Sequence, residues 1–132
     1  MFTHITKDFF GNKFSLSLGL SFSTLGFLFG SWATFIPNIK SDFNLNDAEL
    51  GMLLLSIPFG ALSMNPVAAI LVRKIGFQKT TILGLTSACI SFGLLLNTPN
   101  IYVIIPVMFC VGSSISIANI ALNTCVNVVE HD

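Results

Sequence analysis

Residues 80–129 read TTILGLTSACISFGLLLNTPNIYVIIPVMFCVGSSISIANIALNTCVNVV, fifty consecutive positions without an Asp, Glu, Lys, Arg or His. A helix needs about 20 mainly apolar residues to cross a hydrocarbon core about 30 Å thick, so this run is long enough to cross twice. Asn97-Thr98-Pro99-Asn100 divides it, a cluster of turn-forming residues with apolar sequence on either side. Backbone groups in lipid must be hydrogen-bonded within their own segment, so both halves are expected to be helical.

Working toward the N terminus, the remaining charges act as punctuation. Residues 14–39, between Lys13 and Lys40, and residues 50–72, between Glu49 and Arg73, are also free of charge. The expected spans are therefore 14–39, 48–72, 79–97 and 101–129, an all-α membrane protein of four transmembrane helices behind an N-terminal arm at 1–13. The first run is longer than the 7–15-residue core of a signal peptide and has no small-residue cleavage site after it, so it is read as a retained span. Composition points the same way. The 132 residues are 53% hydrophobic and 9% charged, with a mean hydropathy of +0.83, whereas a soluble domain carries about 25% charged residues.

Several function classes have no support. The formal net charge is zero, which offers nothing to nucleic acid. Cys89, Cys110 and Cys125 are odd in number, widely spaced and set in apolar runs, unlike a disulfide framework or a zinc site. His4 and His131 are terminal, no nucleophile–base arrangement is present, and no phosphate-binding glycine loop occurs. An enzyme is not expected, nor is a cofactor or metal. The expected surroundings are the lipid bilayer.

Lys and Arg set the orientation. Lys7 and Lys13 lie in the arm, and Arg73, Lys74 and Lys79 lie in the second connection, against Lys40 alone in the first and none in the third. The positive-inside rule then puts both termini and the 73–79 connection in the cytoplasm. Asn46 or Asp47 can cap the second span, with Glu49 placed for a capping box. Pro58 and Pro66 lie inside that span and should kink or loosen it. Pro106 belongs in or just beyond the first turn of the fourth span.

Small residues spaced by four, Gly26 and Gly30, Ser56 and Gly60, Gly84 and Ala88, Gly112 and Ser116, are expected to let helices approach closely. In the fourth span Ser116, Asn119, Asn123 and Asn127 recur at three- and four-residue steps and so share a helix face. Amides in a membrane helix need partners or water. Hydrogen bonds between helices and a polar lining for a solute pathway both satisfy that need.

Four segments, in order, resemble one family. Gly30-Ser31-Trp32-Ala33-Thr34-Phe35-Ile36-Pro37-Asn38-Ile39-Lys40 looks like the end of the first span in a bacterial branch of the major facilitator superfamily, close in pattern to fucose permease and its relatives. Asn46-Asp47-Ala48-Glu49-Leu50-Gly51, with Pro58, Gly60 and Pro66, is similar to that branch's second span. Arg73-Lys74-Ile75-Gly76-Phe77-Gln78-Lys79 resembles the signature loop, and Asn123-Thr124-Cys125-Val126-Asn127-Val128-Val129-Glu130 the end of the fourth span.

The resemblance implies the first four spans of a twelve-span fold that holds substrate near the midplane between two halves. It implies a permease in the bacterial inner (plasma) membrane for a sugar or other small organic solute, truncated here and inactive without the missing remainder. Trp32, Asn119, Asn123 and Asn127 would belong to the solute pathway, and Arg73, Lys74, Gly76 and Lys79 to the signature loop. There are departures. Arg73 stands where the family commonly has an acidic residue, Ala69 where the loop's first glycine falls, and Asn119 where relatives often carry a proton-coupling carboxylate. Ala33 takes the place of a first-span acid. Other readings of the residues are a small four-span transporter working as an oligomer and a non-transporting membrane interaction subunit.

Overall fold

The computed structural model describes residues 13–130. The expected arm falls almost wholly outside that range, as do Lys7, His4 and His131. Among the described residues five helices follow one another: α1 (Lys13–Asp42), α2 (Asp47–Leu54), α3 (Ser56–Ile75), α4 (Phe77–Asn97) and α5 (Ile101–Glu130). By length and composition they make four candidate membrane spans, because α2 and α3 continue one another. The chain is an all-α membrane protein.

Each boundary has a local cause. Asn46 caps α2: its side chain accepts from the Glu49 backbone N–H at 2.8 Å, and the Glu49 carboxylate accepts from the Asn46 N–H at 3.0 Å. Two donors that the first turn would leave unpaired are thereby satisfied. The helix is interrupted at Leu55, just before Pro58. Proline has no N–H to give to the carbonyl four residues back, and its ring crowds that carbonyl, here Leu54. Pro66 leaves α3 unbroken, as Pro37 does α1 and Pro106 does α5. Asn100 opens α5 by accepting from the Tyr102 N–H at 3.0 Å.

A single residue, Gly76, joins α3 to α4. Its φ of +85° is the left-handed region that glycine enters without a Cβ penalty. Its N–H donates to Val72 O at 3.0 Å, closing α3. Its carbonyl accepts from the Thr80 hydroxyl at 2.8 Å, anchoring the first turn of α4.

The core is built around α5, which packs extensively against α3 and α4, while α1 touches it more lightly. The α3–α5 contact is reciprocal. A Cβ on Gly60 would lie 2.2 Å from Phe109 O, and one on Gly112 would lie 2.0 Å from Ile57 O. Each helix thus sets its glycine against the other's backbone, the close approach that small residues permit between membrane helices. On the other side, a Cβ on Gly84 of α4 would fall 2.6 Å from Ala118 N. Gly26 and Gly30 behave differently from the expected packing pair, with nothing within 4 Å of either added Cβ. The reason lies in which side of α1 turns inward. Leu25, Leu28, Trp32, Ile36 and Ile39 follow helical spacing into the core clusters, and the glycines lie off that stripe.

The outward faces carry Leu20, Phe27, Met52, Phe59, Leu62, Ile82, Ile90 and Tyr102, all more than half exposed. In water such a surface would drive association, and against lipid tails it has no such cost.

Candidate solute pathway

From residue 118 onward the inward side of α5 consists of Ala118, Ala121, Leu122 and Cys125, all buried. Asn119, Asn123 and Asn127 project from the other side and are exposed. Four-residue steps advance each by about 40° around the helix, so the three amides form one stripe. Asn123 donates to the Asn119 side-chain oxygen at 3.3 Å, which leaves most of the stripe's hydrogen-bonding capacity available. Exposed positions nearer the start of α5 are apolar, among them Val103, Ile105 and Phe109. The helix therefore changes character along its length, from a surface that suits lipid to one that suits water or a polar ligand.

Ser116, expected on the same face, is covered. It is buried and donates to the Asn65 side-chain oxygen at 2.5 Å. Ser113, one turn earlier, donates to Gly60 O at 3.2 Å. Asn65 had no place in the expected site. Its signal, a lone amide beside Pro66 in the second span, becomes informative only once Ser116 is known to meet it.

Trp32 is 6% exposed and packs with Leu45, Leu53, Phe92, Leu95, Ile104, Met108 and Val111. It also lines a cavity of about 470 Å³ together with Phe35, Asn38, Asp42, Phe43 and Phe92. The two cavities that Trp32 lines include none of the three asparagines of the stripe. The structure thus brings Asn119, Asn123 and Asn127 together and keeps Trp32 apart from them.

Arg73, Lys74 and Lys79 are exposed around Gly76. Across the first connection Lys40 forms an ion pair with Asp47. Among the described residues no group of three or more His, Cys, Asp and Glu side chains is placed to hold a metal.

Comparison with known proteins gives two relatives. A protein described as an uncharacterized MFS-type transporter, from Yersinia pestis, is 32% identical over 117 residues, 87% of this chain and 30% of the relative. The membrane protein MosC of Rhizobium meliloti is 34% identical over 73 residues, 54% of this chain and 18% of that protein. The chain therefore spans less than a third of the length of either. No family model matches it, and no solved structure does.

Proposed function

From its relation to an MFS-type transporter over most of its length, we propose that this multi-pass membrane protein forms part of a permease of the major facilitator superfamily. Its cargo is a small polar solute such as a sugar, and Asn119, Asn123 and Asn127 form one wall of the pathway. The observation that carries this reading is the amide stripe, uncovered on a helix whose other side is fully packed. Leaving amides unpaired against lipid is costly, and water or a hydroxyl-bearing solute removes that cost. Neutral amides both donate and accept, as do sugar hydroxyls.

The four spans supply one side of such a path, so the opposite wall has to come from further membrane helices. The surplus of Lys and Arg at the end bearing Gly76 favours that end in the cytoplasm of a bacterial cell, with the membrane its inner one. Arg73, Lys74 and Lys79 then serve topology, and Gly76 serves the tight joint between spans.

The test is solute uptake by the cells that produce this chain, surveyed with labelled sugars and other small polar solutes. Asn123→Leu should abolish the uptake that depends on the chain while the protein stays in the membrane. Undiminished uptake with Asn123→Leu would refute the assignment of the stripe.

A further inference from the structure

We propose that the cavity at the Asp42 end of α1 is a binding site for an amphipathic organic cation, distinct from the amide stripe. Trp32, Phe35, Phe43 and Phe92 contribute four aromatic rings to a space of about 470 Å³, within the usual size range of small-molecule sites. Trp32 and Phe92 are buried and form its floor, while Phe35, Asn38 and Asp42 are exposed at its mouth. Phe35, Asn38 and Asp42 follow three- and four-residue steps, so α1 presents them along one side.

The charge at this site is single and uncompensated. Lys40, two residues from Asp42, is engaged by Asp47, and among the described residues no ion pair involves Asp42. Aromatic faces attract a cation through their quadrupole, and a carboxylate at the rim adds direct attraction. An anion meets only repulsion there. A polyhydroxyl solute would find polar partners only in Ser31, Asn38, Asp42 and Thr98, whose hydroxyl already donates to Leu94 O at 2.6 Å, against an otherwise apolar lining. An ammonium group joined to a ring or short alkyl chain satisfies both the rings and the carboxylate.

The chain's single tryptophan is Trp32, so tryptophan emission reports this cavity directly. The full chain in nanodiscs of zwitterionic lipid is titrated with benzyltrimethylammonium, and in parallel with neopentylbenzene, in which carbon replaces the charged nitrogen. The cation should change Trp32 emission saturably and bind at least about tenfold more tightly than the uncharged analogue. Asp42→Asn should weaken cation binding by about tenfold and Asp42→Glu should largely retain it. Glu49→Gln, which removes one charge at the same end, should leave it within about twofold. Three results would each overturn the proposal: a response that never saturates, equal affinity for the two probes, or equal loss in Asp42→Asn and Glu49→Gln. None of these depends on uptake, so they stand or fall separately from the role of the asparagines.

Discussion

Single residues carry the tightest constraints in this bundle. Gly76 combines a φ of +85° with a ψ of 160° in a one-residue joint, a region nearly closed to residues with a Cβ, which costs them about 1–3 kcal/mol. Gly76→Ala should lower the resistance of the chain to denaturant in mixed micelles by about that much. Gly60 and Gly112 are limited by space, since their added Cβ atoms would meet backbone oxygens. Gly60→Leu and Gly112→Leu should each destabilise the chain by at least about 1–3 kcal/mol in the same assay. Gly26→Leu and Gly30→Leu, facing open space, should be nearly silent in the isolated chain. Equal damage from all four substitutions would contradict the described packing. From the sequence alone these glycines look alike, because a four-residue spacing fixes which residues share a face and says nothing about which face meets a neighbour. Trp32 shows the same limit. Its residue type fits both a stacking platform and a core anchor, and only the folded structure sets it among Leu45, Phe92 and Ile104 at the edge of a cavity.

At the scale of elements, the charge-free runs were legible because lipid imposes a length and forbids charge, two properties visible in any sequence. Each expected span falls within a helix or, for the second, a helix pair. The Asn46 cap and its partner Glu49 could be read because a capping box is local chemistry. Asn46→Ala should cost about 1 kcal/mol and fray α2, seen as faster amide exchange near Glu49. The break at Leu55 follows from Pro58, also local. Pro58→Ala would restore a donor for the Leu54 carbonyl and should slow exchange in this segment, whereas unchanged exchange would assign the break to packing. The Asn65–Ser116 hydrogen bond was beyond reach, since it joins residues 51 positions apart. Likewise, the stripe's division into a covered Ser116 and three uncovered asparagines required knowing where α3 lies.

For the molecule as a whole, the central claim is that α5 turns a polar wall toward water while α1, α3 and α4 turn apolar faces toward lipid. One wall does not make a pathway, and purified chain alone in lipid vesicles should accumulate no solute. Sustained accumulation would favour an oligomeric transporter built from copies of the four spans. The most direct measurement is cysteine accessibility in the membranes of cells that produce the chain. Cys89, Cys110 and Cys125 are first replaced by alanine, and single cysteines are then placed at Asn119, Asn123, Asn127, Ile90 and Leu94. A membrane-impermeant thiol reagent should label the three α5 positions and spare the two on α4. Labelling confined to Ile90 and Leu94, or absent from all three asparagine positions, would contradict a water-facing wall.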